Sequence, residues 1–132
     1  MKSILITGAS SGIGKALALE ASKRGYQVIA CGRSEDKLNK LKLSDDNIQT
    51  LAFDVTDLHS CEQALAACQP DIAVLNAGTC EYLNAQQFDM DLVERVLKPN
   101  LFGTLYGVEA ALPLLRAARK EGLLARLAAT SS

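Results

Sequence analysis

Short runs of apolar residues alternate along the chain with stretches in which apolar residues recur every three or four positions. The continuous runs are typical of strands buried on both faces of a parallel sheet, and the periodic stretches predict amphipathic helices. The runs predict strands at Ile4–Ile6, Gln27–Cys31, Ile48–Phe53 and Asp71–Leu75. A fifth strand is expected at Leu123–Thr130, although this segment contains no Val or Ile and therefore has a weak strand propensity.

The predicted helices lie between these strands and have recognisable start residues. Ser34 and Asp57 are predicted to cap the second and third helices. A further helix is expected over Phe88–Leu97, and a longer one after Pro99. The apolar face of the first helix is predicted to contain Ile13, Ala16, Leu17 and Ala21. That of the long helix is predicted to contain Leu101, Leu105, Val108, Leu112 and Leu115.

Strands that alternate with helices predict an α/β fold with helices on both faces of a parallel sheet. The expected architecture is a three-layer, doubly wound sheet of the Rossmann type, with strand order 3-2-1-4-5 and right-handed crossovers. The 132 residues are enough for a single domain, residues 1–132. A ligand is expected at the carboxyl ends of the strands.

Composition narrows the class of partner. The formal net charge is −1, so nothing in it favours nucleic acid or an anionic membrane as a partner. No apolar run is long enough to span a bilayer, and the first residues do not resemble a signal peptide. The four cysteines have no C-x-x-C spacing, so no metal site is expected and they indicate a reducing compartment. A cytoplasmic location is therefore expected.

A glycine-rich turn follows the first strand, with the spacing G-x-x-x-G-x-G formed by Gly8, Gly12 and Gly14. A strand, a tight turn and a helix in succession present backbone N–H groups and the positive end of a helix to a phosphate. The hydroxyls of Ser10 and Ser11 can bond a phosphate or cap the helix. The alternative is a glycine-rich turn that binds no ligand.

Three further motifs follow in order along the chain. They are Asp54-Val55, Asn76-Ala77-Gly78, and Asn100 followed by Leu-Phe-Gly-Thr. Together with Thr7-Gly8-x-x-x-Gly12-Ile13-Gly14, these motifs resemble the short-chain dehydrogenase/reductase family over essentially the whole chain. The resemblance implies a hydride transfer between a nicotinamide cofactor and a small-molecule carbonyl or alcohol substrate. It also implies a homo-oligomer, because the family usually pairs its subunits through the long helix.

The resemblance implies a role for each motif in holding the cofactor. The loop from Gly8 to Ile13 would wrap the pyrophosphate and ribose. Asp54 and the backbone of Val55 would hold the adenine edge. The segment Asn76-Ala77-Gly78 would lie beside the adenosine ribose and support the central strand.

The same resemblance implies catalytic roles for Asn100 and Ser132. Asn100 matches the member of the catalytic tetrad that keeps a helix kinked and a proton-relay water in place. Ser132 matches the serine that orients the substrate carbonyl. The family's Tyr-x-x-x-Lys pair does not occur in this sequence, because Tyr26, Tyr82 and Tyr106 have no lysine four positions later. We therefore expect a sheet truncated after its fifth strand, and the alternative function is a dinucleotide-binding module or sensor without chemistry.

The end of the second strand indicates which cofactor is bound. An NAD-specific site places a carboxylate there, about twenty residues after the glycines, for the ribose 2′-hydroxyl. Here Gly32 and Arg33 occupy that place, so no carboxylate repels a 2′-phosphate and a guanidinium is available to bind it. NADP is the expected cofactor, with NAD as the less favoured one.

Each of these polar residues also has a purely structural interpretation. Asp54 is compatible with a strand-ending turn or a helix cap, and Asn76 with a structural turn residue. Asn100 is compatible with a helix start, Ser132 with a polar tail, and Arg33 with an ordinary surface arginine.

Overall fold

The computed structural model describes residues 2–79 and 86–130, and in these ranges strands alternate with helices, except that consecutive helical elements precede the last strand. The strands are β1 (Ser3–Thr7), β2 (Gln27–Gly32), β3 (Ile48–Ala52), β4 (Ile72–Leu75) and β5 (Arg126–Ala129). The helices are α1 (Gly12–Lys23), α2 (Glu35–Ser44), α3 (Leu58–Cys68), α4 (Met90–Leu97) and α5 (Gly103–Lys120), and a π-helical segment, Lys98–Phe102, joins the last two. No helix among the described residues combines the length and apolarity needed to cross a membrane.

The strands form one parallel sheet in the order β3-β2-β1-β4-β5, which confirms the predicted Rossmann-type arrangement. The strand with the weakest propensity also forms, but it is shorter than the predicted Leu123–Thr130. Its backbone pairs with β4 from Ile72 opposite Arg126 to Leu75 opposite Ala129. Pairing with a buried neighbour therefore compensates for the absence of Val and Ile.

The sheet separates two hydrophobic cores, because neighbouring residues of a strand point to opposite faces. In β1, Ile6 faces the core beneath α1 and α2, whereas Leu5 faces the core beneath α3 and α5. Both side chains are fully buried. The central strand is thus covered on both sides, which is the reason for its continuous apolar run.

The faces that the two long helices bury differ in part from the predicted ones. In α1, Ala18 and Ala21 are buried as its packing requires, but Ile13 is 75% exposed and Ala16 is also exposed. In the long helix only the first part of the predicted leucine stripe faces away from the sheet, with Leu101 47% and Leu105 51% exposed, whereas Leu115 is buried as predicted. The buried positions of α5 are instead mostly small, namely Gly103, Gly107, Ala110, Ala111 and Leu115.

The predicted caps form, but the break before the long helix does not. The Ser34 hydroxyl accepts a hydrogen bond from the N–H of Lys37, and the Asp57 carboxylate accepts one from His59. From Met90 to Lys120 the helix runs through the π-helical segment without interruption. Pro99 lies within that segment, where the hydrogen-bond pattern already departs from the α-helix, and Asn100 is not a helix-start residue.

Candidate functional site

The turn between β1 and α1 depends on glycines for two reasons. Gly8 and Gly12 have φ values of +67° and +58°, in the left-handed region that favours glycine. A Cβ on Gly8 would also lie only 2.7 Å from the Cα of Ala77. Glycine at position 8 therefore lets the end of β1 turn and lets it approach the residues that follow β4.

Gly12 and Gly14 face different surroundings at the start of α1. A Cβ on Gly14 would overlap the carbonyl of Gly8 and lie 2.6 Å from Nδ2 of Asn76, so this position packs the helix on the strand ends. A Cβ on Gly12 would have no protein atom within 4 Å. The backbone of Gly12 therefore borders open space beside the helix N-terminus, where a phosphate is favoured.

A cavity of about 840 Å³ lies at this edge of the sheet. All the predicted cofactor-binding residues except Gly14 line it, namely Gly8, Ser10, Ser11, Gly12, Ile13, Arg33, Asp54, Val55, Asn76, Ala77 and Gly78. Because these residues follow four different strands, the parallel topology brings them together. A second cavity, of about 580 Å³ and lined by residues between Arg119 and Arg126, contains none of them.

The cavity has further lining residues that were not among the predicted cofactor-binding residues. They are Gly32, Ser34, Lys37, Phe53, Thr56, Thr79, Arg95, Lys98 and Pro99. Those from the strand ends are within four positions of a predicted site residue, so their proximity in the chain was a usable signal. Lys98 and Pro99 reach the cavity from the π-helical segment, directly before the predicted site residue Asn100, whereas Arg95 reaches it from α4, which no local pattern indicated.

Asp54 forms a tight turn with Thr56 at the cavity wall. Its Oδ1 accepts hydrogen bonds from the backbone N–H of Thr56 at 2.9 Å and from the Thr56 hydroxyl at 2.7 Å. Partial burial alone would raise the pKa of this carboxyl, but the two hydrogen bonds and the nearby Arg33 charge outweigh it and lower the pKa. Asp54 is therefore a carboxylate at neutral pH, with a structural role in its own turn.

Asn76 connects the ends of three strands. Its backbone N–H donates to the Thr7 hydroxyl at 2.9 Å, and the N–H of Ala77 donates to the same hydroxyl at 3.1 Å. Its side-chain Nδ2 donates to the carbonyl of Gly8 at 3.4 Å, and its Oδ1 accepts from the Thr130 hydroxyl at 2.9 Å. These contacts give Asn76 the structural role that the sequence left open.

Asn100 joins the π-helical segment to the chain that follows β4. Its Oδ1 accepts from the N–H of Thr79 at 3.0 Å, and its Nδ2 donates to the carbonyl of Thr79 at 2.7 Å. Nδ2 also donates to the carbonyl of Val96 at 2.9 Å. The amide thus binds both backbone polar groups of Thr79 and occupies a helix carbonyl, which stabilises the local departure from α-helical geometry.

Arg33 and Gly32 lie where the sequence predicted, at the end of β2. The Arg33 side chain is exposed, and its charge contributes to the lowered pKa of Asp54. A Cβ on Gly32 would lie 3.2 Å from the Ser10 hydroxyl, so the β1–α1 turn passes close to this strand end. Ser131 and Ser132 lie outside the described residues, and the predicted role of Ser132 stays a prediction.

The family model described as short chain dehydrogenase matches residues 2–131. One curated relative, an NADPH-dependent pterin aldehyde reductase of Arabidopsis thaliana, is 35% identical over 140 residues, which cover 96% of this chain and 55% of the relative. An uncharacterized oxidoreductase of Staphylococcus haemolyticus is 34% identical over 97% of this chain and 58% of its own length. The chain spans about half the length of the curated relatives it matches.

Solved structures share the same fold. A 3-ketoacyl-(acyl-carrier-protein) reductase from Brucella melitensis complexed with NADH has a TM-score of 0.92 at 24% identity, over 99% of this chain and 57% of the other. The closed form of serine dehydrogenase complexed with NADP+ has a TM-score of 0.87 at 28% identity, over 98% of this chain and 54% of the other. The neighbours thus include complexes with both forms of the dinucleotide.

Proposed function

Because this chain belongs to the short-chain dehydrogenase family, we propose that it forms the cofactor-binding part of an oxidoreductase that transfers a hydride between NADP(H) and a small carbonyl or alcohol substrate. The observation that carries this proposal is the single cavity that collects the ends of four strands beside the β1–α1 turn. The alternative of a dinucleotide-binding module without chemistry shares this cavity, and turnover distinguishes the two.

The residues that line the cavity fit a dinucleotide. The open space beside Gly12 leaves room for a pyrophosphate against the backbone, with the hydroxyls of Ser10 and Ser11 on the same wall. The turn of Asp54 and Thr56 offers polar atoms for the adenine edge, beside Val55 and the Asn76–Gly78 segment. When bound, the cofactor would supply the hydride, while these residues hold and orient it.

NADP(H) is proposed over NAD(H) because of the charge at the end of β2. Arg33 lines the cavity and Gly32 presents no carboxylate to oppose a 2′-phosphate. A charge-assisted hydrogen bond is worth roughly 1.5–3 kcal/mol, enough for a preference of about 10- to 100-fold. The relative named as an NADPH-dependent aldehyde reductase supports the same choice of cofactor and a carbonyl substrate.

Asn100 and Ser132 are proposed as the part of the active site that this chain contributes. The hydrogen bonds from Asn100 to Thr79 and Val96 support a role in holding the distorted helix turn beside the cavity. Asn100 would thereby keep a water in reach for proton transfer. Ser132 would donate a hydrogen bond to the substrate carbonyl.

The cofactor assignment is tested by titrating NADPH and NADH by nicotinamide fluorescence into the wild type and an Arg33→Ala variant. We expect NADPH to bind about 10- to 100-fold more weakly to the variant, with NADH hardly changed. Arg116→Ala, which removes an exposed arginine from α5, is the control and should change neither affinity. An equal loss for both cofactors would contradict the assignment to the 2′-phosphate.

The outward apolar stripe of the long helix supports a homo-oligomer. Leu97, Leu101, Phe102 and Leu105 are each between 42% and 51% exposed, although they are large and apolar. We propose that a second copy of the chain covers them. Leu105→Glu should lower the mass found by sedimentation equilibrium, while Leu43→Glu, at an 85% exposed leucine of α2, should leave it unchanged. Identical masses for both variants and the wild type would exclude this interface.

A further inference from the structure

The lining of the proposed nucleotide cavity is positively charged, whereas the chain as a whole is nearly neutral. The sequence has 14 Lys and Arg residues against 15 Asp and Glu, so its net charge is close to zero. The cavity, by contrast, is lined by four basic residues, Arg33, Lys37, Arg95 and Lys98, and by one acidic residue, Asp54. The positive potential is therefore concentrated at the carboxyl edge of the sheet.

These cations come from elements on opposite faces of the sheet. Arg33 and Lys37 belong to the end of β2 and the first turn of α2, which packs on the same face as α1. Arg95 and Lys98 belong to α4 and the π-helical segment, which continue into α5 on the other face. Of these four cations, only Arg33 was predicted to bind the cofactor. Arg95 and Lys98 lie outside the glycine-rich turn.

Among residues 2–79 and 86–130, no carboxylate lies within ion-pair distance of the Lys98 ammonium group. The carboxylate of Asp54 is held by Thr56. The backbone of Lys98 is fixed, because its carbonyl accepts the N–H of Gly103 at the end of the π-helical segment.

We infer that Lys98 is a further specificity-determining residue for the cofactor, which attracts the polyanionic NADP(H) into the cavity and favours it over NAD(H). The inference rests on the proposed function, since it assumes that the cavity binds this dinucleotide. A 2′-phosphate adds about 1.5 to 2 negative charges at neutral pH, so a cation in the cavity wall attracts NADPH more strongly than NADH. A cleft lined by charge of one sign raises the association rate of an oppositely charged ligand.

Lys98 acts in this account through its long-range field, which distinguishes it from a direct contact. Removal of a steering charge lowers the association rate and leaves the dissociation rate almost unchanged. Salt should abolish the effect, because the Debye length falls to about 3 Å near 1 M ionic strength. Loss of a direct hydrogen bond would instead raise the dissociation rate at every salt concentration.

The test is stopped-flow nicotinamide fluorescence with NADPH and NADH on the wild type, Lys98→Gln and Lys98→Arg. At low salt, about 0.02 M, we expect Lys98→Gln to bind NADPH about 2- to 5-fold more slowly, with a smaller change for NADH. The difference from wild type should vanish near 1 M salt, and Lys98→Arg should restore the rate. Lys120→Gln, which removes one exposed charge from the last turn of α5, should match the wild type.

The outcomes separate this inference from the proposal beneath it. If the wild type binds NADPH and Lys98→Gln binds it at the same rate, the role of Lys98 is wrong and the proposed function stands. An effect that is equal for both cofactors, or that persists at high salt, also overturns the role. If the wild type binds neither dinucleotide, the proposed function and this inference fall together.

Discussion

The helices α1 and α5 pack closely on opposite faces of the same sheet, but their exposed apolar residues face different surroundings. Both bury small residues against the strands or the turns at the strand ends, Gly14 and Ala18 in α1, Gly103 and Gly107 in α5. Some of their large apolar residues pack into the cores, but others point elsewhere. Ile13 of α1 lines the cavity at the carboxyl edge of the sheet, whereas Leu101 and Leu105 of the other helix form an outward stripe.

The comparison shows that the close approach of a helix to a sheet is set by its small residues, not by its largest apolar ones. A Cβ on Gly14 would overlap backbone at the strand ends, while a Cβ on Gly107 would lie 2.7 Å from the Leu75 side chain. Large apolar residues beside such a seam are available for another partner. On the α1 side we propose that this partner is the cofactor, and on the α5 side a second subunit.

The largest expected effect concerns carbonyl reduction by the chain. The 132-residue chain should reduce no carbonyl substrate measurably, since it has no Tyr-x-x-x-Lys pair and Asn100 is not an acid. Nicotinamide absorbance with a panel of ketones and aldehydes measures this directly. Turnover at rates usual for enzymes, about 1–10³ per second, would show that another residue replaces the tyrosine.

The next effect compares the two helix seams by adding one methyl group to each. Gly14→Ala should lower the free energy of unfolding by about 3 kcal/mol or more, because the new Cβ meets backbone atoms that cannot move aside. Gly107→Ala should cost only about 0–2 kcal/mol, since the Leu75 side chain can shift and alanine favours the helix by about 1 kcal/mol. Urea denaturation of both variants measures the difference, and equal losses would contradict the distinction between the seams.

A third test separates cofactor binding from backbone strain. Gly12→Val should weaken NADPH binding by more than about 100-fold, since the branched side chain would fill the open space beside the turn and strain a left-handed backbone. Gly122→Val is the matched control, because Gly122 follows α5 with a φ of +78° and also has no atom within 4 Å of its Cβ position. Fluorescence titration and circular dichroism should show intact folding in both and lost binding only at position 12.

Much of the fold was predictable because it depends on local signals. Continuous apolar runs located the strands, and Ser34 and Asp57 cap helices as predicted. The buried face of α5 was not predictable from periodicity, because leucines and small residues recur with the same spacing and only the sheet selects between them. The continuous helix through Pro99 was also missed, since the π-helical segment depends on the contact between Asn100 and Thr79.

The candidate site was likewise predictable only in part. The residues at the ends of β1 to β4 could be placed together because parallel strands end at one edge. Arg95 and Lys98 could not, since nothing in the sequence shows that α4 and the π-helical segment place these side chains at the cavity, although Lys98 lies two positions before Asn100. The family resemblance already implied that Asn76 lies beside the cofactor and supports the central strand, but its bond with Thr130, after β5, was not predictable from any motif.

The smallest expected effect concerns the turn after β3, which lies between the cavity and the start of α5. Asp54 lines the cavity, and the next residue, Val55, contacts the position of Gly103 at the start of α5. Because the pKa of Asp54 is lowered below its ordinary value of 3.8, its charged form stabilises the fold above that pH. The contribution is lost as the pH falls through the lower, folded-state pKa. It should be below about 1 kcal/mol, since the carboxylate is partly exposed and solvent screens it.

Asp54→Asn should therefore reduce the free energy of unfolding slightly at pH 7 and leave it almost unchanged under strongly acidic conditions, where the wild-type carboxyl is protonated. The asparagine amide oxygen can still accept from Thr56, so the variant removes the charge while it keeps an acceptor in the turn. Thr56→Val removes the hydroxyl, one of the two donors to Asp54. In that variant the effect of Asp54→Asn on the free energy of unfolding should be smaller still. Urea denaturation of the single and double variants across the acid range measures these differences in the free energy of unfolding. A loss that grows as the pH falls would have the wrong sign and would show that the carboxylate is destabilising in the folded chain.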